Sequence, residues 1–113
     1  MFAGNNKLAN LTAVVDRNNI QISGPTEEVM PLEPLVQKYE AFNWHVIEVD
    51  GNNIEMFTDA VEEARAVTDK PTVIVAHTVP GKGVPEIEGD YRWHGKAPTQ
   101  EQARIWIKRL QHE

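Results

Sequence analysis

Two stretches of the sequence bring together side chains that could hold a charged ligand. The first is Val15-Asp16-Arg17-Asn18-Asn19-Ile20-Gln21-Ile22-Ser23-Gly24. An apolar run delivers an asparagine pair into a turn, and two apolar residues then alternate with polar ones. Magnesium takes about six oxygens in tight octahedral geometry and usually draws some of them from phosphates. An asparagine amide oxygen and a backbone carbonyl two residues further on can fill two of those positions. An asparagine pair is equally a good turn former, and the local sequence leaves both readings open. The second stretch runs from Thr78-Val79-Pro80-Gly81-Lys82-Gly83-Val84-Pro85 to Trp93-His94-Gly95-Lys96-Ala97-Pro98. Glycines around Lys82 could bring backbone N–H groups and one cation to a phosphate, although the spacing is not that of a Walker loop. His94 lies in a polar loop between Trp93 and Gly95. It is a candidate for hydrogen bonding to a ligand, with an ordinary surface histidine as the alternative.

The remaining candidates carry less. His45 alternates within a strand pattern, His77 ends one and could reach the same mouth, and His112 stands near the terminus; together they show no metal-ligand spacing such as H-E-x-x-H. Trp44 and Trp106 fit core positions. The chain has no cysteine, which excludes a disulfide scaffold, a thiolate metal site and a cysteine nucleophile. Its 113 residues match one ordinary domain. No apolar run reaches the roughly 20 residues needed to span a bilayer, and no signal-peptide pattern opens the chain, so the cytoplasm is the expected compartment and no membrane partner is expected. The net charge is −6, and residues 26–69 alone carry a balance of −9. A nucleic-acid binder would show a dominant basic face; this acidic middle reads instead as a solvated surface.

The elements that must position these residues follow from periodicity. Met1–Ala9 reads as the end of a helix closed by Asn10. Leu11–Val15 reads as a strand followed by a polar turn from Asp16 to Asn19. Leu32, Leu35, Val36, Tyr39 and Phe42 form a helical stripe, with Pro31 and Pro34 allowed only in or before its first turn. Trp44–Val49 alternates as a strand. Asp50–Asn53 is a turn in which Asn52 or Asn53 can cap the next helix; Ile54, Phe57, Val61 and Ala64 share a face of that helix, and Lys70-Pro71 stops it. Thr72–Ala76 is apolar and β-branched, as a strand buried on both faces would be. After a long loop, Thr99 and Gln102 form a capping box for a last helix with Ala103, Trp106, Ile107 and Leu110 on one face. The order β-α-β-α-β, with a helix at each end, predicts a three-layer α/β fold: a mostly parallel sheet with helices on both faces. Ligands of such folds bind beyond the carboxyl ends of the strands, where Asp16–Gly24, Asp50–Asn53 and His77–Pro98 fall.

Four stretches in this order, MFAGNNKLANLTAVVDRNNIQISGPTEEVM, LEPLVQKYEAFNWHVIEVDGNN, KPTVIVAHTVPGKG and WHGKAP, resemble transketolase along the whole chain. The likeness is to the N-terminal subunit of the two-chain bacterial and archaeal type. The resemblance implies a cofactor, thiamine diphosphate held through Mg2+, and transfer of a two-carbon ketol unit from a ketose phosphate to an aldose phosphate. It implies that Asn18 gives a side-chain oxygen and Ile20 a backbone carbonyl to the metal, and that Ile22 packs near the thiazolium ring. His94 corresponds to the family histidine that contacts the diphosphate and the substrate side, and Lys82 would stand near the diphosphate.

The sequence also departs from the family pattern. The cofactor motif opens with Gly-Asp-Gly, which occurs nowhere in these residues; only its closing half is present. Pro80 stands where many relatives have lysine, Asn43 where they have glycine, Asn52 where they have histidine, and Ser23 where aspartate is common. The expectation is that residues 1–113 form the C-terminal portion of the thiamine-diphosphate-binding domain, inactive alone. Its implied partners are complementary transketolase chains, one bearing the Gly-Asp-Gly half and one the pyrimidine-binding domain, in an oligomer. A non-catalytic assembly module, a truncated gene product and a part of a related thiamine enzyme such as deoxyxylulose-phosphate synthase are the alternatives. An apolar sheet edge near Leu11–Val15 is expected to self-associate or capture a partner.

Overall fold

A computed structural model describes residues 1–111; His112 lies outside the described residues. In chain order the elements are α1 (Phe2–Asn5), β1 (Thr12–Arg17), β2 (Ile20–Gln21), β3 (Gly24–Pro25), α2 (Thr26–Val29), α3 (Leu35–Ala41), β4 (His45–Asp50), α4 (Ile54–Ala66), β5 (Thr72–His77), a 3-10 turn (Tyr91–Trp93) and α5 (Gln100–Leu110). The chain divides into two compact units. One comprises Met1–Asn18 and Leu32–Thr78; the other comprises Asn19–Pro31 and the chain from Val79 onward.

The first unit holds a parallel sheet in the order β1-β5-β4. The chain steps from β1 across β5 to β4 and then back to β5. Right-handed crossovers in opposite directions put their helices, α3 and α4, on opposite faces. The architecture is therefore the three-layer α/β fold expected from the alternating pattern. Ile47 and Val49 of β4 and Ile74 and Ala76 of β5 form a core cluster with Ala60 and Ala64 of α4, and Phe57 and Val61 pack against it. On the opposite face Val73 and Val75 are fully buried, so the central strand is covered on both sides, as its run of β-branched residues requires. The register is flush: Arg17 faces His77 and His77 faces Asp50, so all three strands end at one level.

Several boundaries differ from the sequence expectation. The opening helix is a single turn ending at Asn5, and Lys7 beyond it has φ 49°, a left-handed conformation that no helix continues through. Asp16 and Arg17 belong to β1 rather than to a turn: the guanidinium of Arg17 is buried but paired with Glu33 at 3.0 Å, which lets a charged residue complete a strand. Of the two candidate caps, Asn53 caps α4, its side chain accepting from Met56 N–H at 3.1 Å. Ile54 lies one turn ahead of the packed stripe and is exposed, and α4 ends at Ala66, four residues before Lys70. Pro34 stands at the N-cap of α3, before the first turn as expected. All eleven acids between residues 26 and 69 are exposed, so the acidic middle is solvated.

The second unit is built from short pieces. Ile20–Gln21 and Gly24–Pro25 pair antiparallel around the two-residue loop Ile22-Ser23, a hairpin inside what the sequence reads as one loop. The Thr99–Gln102 capping box is present, with both reciprocal bonds. Trp106 is buried on α5, whereas Ile107 and Leu110 are about half exposed. Trp106 meets Trp93 edge-to-face at 5.5 Å, and Arg109 pairs with Glu86 at 2.6 Å. Among the described residues no helix is long and apolar enough to cross a membrane.

Candidate functional site

The carboxyl ends of the parallel strands carry the polar side chains of the first unit. At the end of β4 and β5, His77 Nε2 lies 2.8 Å from Glu48 Oε2. With Val49, Asp50 and Met56 these two line an open hollow of about 540 Å³. A second hollow, about 360 Å³ between Met1–Lys7 and Ala41–Asn43, is away from the strand ends, where folds of this kind do not place ligands. At the end of β1, Asp16 accepts the hydroxyl of Thr78 on one carboxylate oxygen and the side-chain N–H of Asn18 on the other, the latter at 3.3 Å. Glu33 accepts the Leu35 N–H at 2.9 Å as well as the Arg17 guanidinium. These two partners, the backbone N–H first, hold its carboxyl below the usual carboxylate range.

The two asparagines of the pair differ in conformation and surroundings. Asn19 has φ 63°, a left-handed conformation that asparagine tolerates, and makes the turn. Asn18 is half-buried at the end of the sheet with its amide oriented by Asp16. Two residues on, Ile20 pairs with Pro25 in the hairpin; the ladder bond beside them runs from Thr26 N–H to the Asn19 carbonyl at 2.9 Å. The Asn18 amide oxygen is a neutral ligand for a hard cation, and so is any backbone carbonyl. Neutral oxygens of this kind leave the balancing charge of such a cation to phosphate or to a carboxylate. Among the described residues no group of three or more His, Cys, Asp or Glu could hold a metal ion.

The other candidates fall in the second unit. Ile22 stands at the tip of the hairpin, 77 % exposed. Strand β3 of that hairpin lies against the 3-10 turn, so the segment carrying Ile20 and Ile22 adjoins the turn that His94 closes. Asp90 starts this turn: it accepts Arg92 N–H at 3.0 Å and grips the Arg92 guanidinium at 2.7–3.0 Å. The Arg92 side chain first, and its backbone N–H second, hold the Asp90 carboxyl below its usual range. His94 itself is exposed, its N–H donated to the Tyr91 carbonyl at 3.0 Å. Lys96 lies over the Trp93 ring at 4.4 Å, a cation–π contact that leaves it engaged. Lys82 is exposed between Gly81 and Gly83, both at positive φ. The Gly83 N–H is given to Glu88 at 2.8 Å, so an anion seeking that amide would first have to displace a carboxylate.

Sequence reasoning passed over Asp16 and Thr78. The available signal was a carboxylate at the end of one apolar run and a hydroxyl directly after another, since adjacent parallel strands bring such ends together.

The chain as a whole is similar to known proteins. The chain is 41 % identical over all 113 residues to the 6-deoxy-6-sulfo-D-fructose transketolase subunit of Clostridium sp. (strain MSTE9) and covers 41 % of that protein. It is 45 % identical over 102 residues, 89 % of the chain, to one of the subunits of the apulose-4-phosphate transketolase of Phocaeicola vulgatus, of which it covers 36 %. It therefore spans about two fifths of the length of these two relatives. Among solved structures, transketolase from Campylobacter jejuni superposes with a TM-score of 0.90 at 31 % identity, over 97 % of this chain and 17 % of that one. Transketolase from Leishmania mexicana gives 0.85 at 35 % identity, over 96 % and 16 %. The family model for the transketolase thiamine diphosphate binding domain matches residues 1–112, and with the parallel sheet and these likenesses it shows that the chain belongs to the transketolase family, in its thiamine-diphosphate-binding domain.

Proposed function

We propose that this chain supplies the carboxyl portion of a transketolase thiamine-diphosphate-binding domain, and that with complementary chains it takes part in two-carbon ketol transfer between sugar phosphates in the cytoplasm. The observation that carries the reading is the family match over residues 1–112, with Asn18 standing just past the carboxyl end of the parallel sheet, where α/β folds bind ligands. Thiamine diphosphate with Mg2+, when bound, supplies the electron sink for breaking and making the carbon–carbon bond. The chain's own residues bind and orient. Asn18 offers its amide oxygen and Ile20 its backbone carbonyl to the cation. Ile22, an exposed apolar side chain, offers a surface for the thiazolium ring. His94 can donate a hydrogen bond to the diphosphate and to the substrate, and Lys82 brings a positive charge toward the diphosphate. The anchoring carboxylate would come from the Gly-Asp-Gly half of the domain, and the pyrimidine-binding domain from a partner.

The test is reconstitution. The chain mixed with such partners, thiamine diphosphate and magnesium should gain ketol transfer, measured as aldose-phosphate-dependent consumption of a ketose phosphate. Asn18→Ala should lower it about tenfold or more, as loss of a metal-orienting group does. No gain of activity with any complementing chain would sink this reading. The neutral donor pair favours a second one, an assembly module that keeps the fold without binding cofactor. Calorimetry on the assembled complex separates them: intact assembly with no heat of cofactor binding would favour the module.

A further inference from the structure

We propose that Asp16 is a positioning residue for Asn18, set in place by Thr78, and that this carboxylate decides which end of the Asn18 amide faces the ligand; this rests on the reading of Asn18 as a metal donor. An ionised carboxylate only accepts hydrogen bonds. The amide end that faces Asp16 must therefore be the NH2 group, and Asn18 Nδ2 indeed stands 3.3 Å from Asp16 Oδ2. With that end fixed, the oxygen end is directed away from Asp16, and a flip of the amide would bring oxygen against oxygen. An asparagine without such a partner can present either end, and a cation accepts only the oxygen.

The carboxylate is itself held from the neighbouring strand ends. Thr78, the first residue after β5, donates its hydroxyl to the other Asp16 oxygen, while its N–H reaches the Arg17 carbonyl at 3.4 Å. The Thr78 methyl lies against Gly51, just after β4: a Cβ added there would stand 2.6 Å from Thr78 Cγ2 and 2.9 Å from Ala76 Cβ. Gly51 is fixed in turn by its N–H bond to the His77 carbonyl at 2.8 Å. The three strand ends thus set one carboxylate, and the carboxylate sets one amide.

The test uses the full chain labelled with 15N and read by NMR, first without metal. The side-chain NH2 signals of Asn18 should shift in Asp16→Asn and in Thr78→Val, and should keep their wild-type position in Thr78→Ser, which retains the hydroxyl. Signals that stay put in both Asp16→Asn and Thr78→Val would overturn the proposal. Thr78→Val also serves if Asp16→Asn fails to fold. Manganese ion, added alone as a paramagnetic probe, then tests the consequence. Its affinity at Asn18 should fall about tenfold or more in Asp16→Asn, as for other residues that orient a ligand. It should fall by a smaller factor in Thr78→Val and not at all in Thr78→Ser. Weaker binding in Asn18→Ala with wild-type binding in Asp16→Asn and Thr78→Val would overturn the positioning role and leave the metal reading standing. Wild-type binding in Asn18→Ala would overturn the metal reading itself, and Asp16 would then be left fixing a turn. Weaker binding in Asp16→Asn without any change in the metal-free Asn18 signals would make Asp16 a direct ligand and likewise overturn the proposal.

Discussion

Glu33 reaches the buried guanidinium that closes β1 from a side chain that is itself more than half exposed. Its pairing with Leu35 N–H and Arg17 lowers its carboxyl pKa. A carboxyl with a lowered native pKa stabilises the fold above its unfolded value, about 4.3, and that contribution is lost as pH falls through the native value. Glu33→Gln should therefore lower Tm at neutral pH, and the gap to wild type should close at the acid end of the folded range. A Tm difference that does not change with pH would contradict this account. Thr72 makes the opposite case. It is 1 % exposed, and its hydroxyl has no hydrogen-bond partner among the described residues. An unmet buried hydroxyl costs about 1–3 kcal/mol, so Thr72→Val should leave Tm unchanged or raise it by about 4–8 °C per kcal/mol recovered. A clear fall in Tm would show that the hydroxyl is satisfied after all. Neither effect was legible in the sequence. A charged residue after an apolar run reads as a turn, and the pairing with the distant Glu33 that accompanies Arg17 into the strand is not visible in the local sequence.

Trp106 ties α5 to the turn that ends at His94. It is 8 % exposed and packs edge-to-face on Trp93. Trp106→Ala should cost about 3–5 kcal/mol, in the range of other large-to-small core changes, and should shift the emission of Trp93 to longer wavelength as its ring meets water. Chemical denaturation followed by fluorescence measures both. An unchanged midpoint would mean that α5 does not hold the turn. The capping box of this helix was legible because its chemistry is local, with two side chains three residues apart each meeting a backbone N–H. The asparagine cap of α4 was legible for the same reason. The hairpin was not. It has two rungs, one of them formed by a proline, and such a piece is stable only inside its unit. The alternation of Ile20 and Ile22 between Asn-Asn and Ser-Gly was the trace it left. Ile22 came from family resemblance alone and His94 and Lys82 from the loop sequence as well, while the partners of the surrounding amides, such as Glu88 on Gly83, belong to tertiary structure and left no such trace.

In the molecule as a whole, alternation of strand and helix sufficed to indicate a parallel three-layer sheet. It could not indicate the order β1-β5-β4, because a crossover may pass over one strand or none. Among the described residues that order leaves β1 as an edge, with Val14 52 % exposed and Leu11 40 % exposed. Such an edge invites pairing with another chain. Sedimentation velocity should show association that rises with concentration, and Val14→Lys should remove it at a cost in stability within about 0.5 kcal/mol. A chain that stays monomeric at millimolar concentration would contradict this. The register adds a constraint in time. Thr12 pairs with Thr72, sixty residues downstream, and His45 pairs with the same residue from the other side. Both outer strands therefore wait for the last one made. At about 5–20 residues per second of synthesis, β1 stands without its neighbour for about 3–12 s. Ribosome-bound chains halted before Val73 should be cleaved by protease within β1, and chains extended past Thr78 should resist. During that interval the Leu11–Val15 stretch depends for shelter on something other than the sheet it will join.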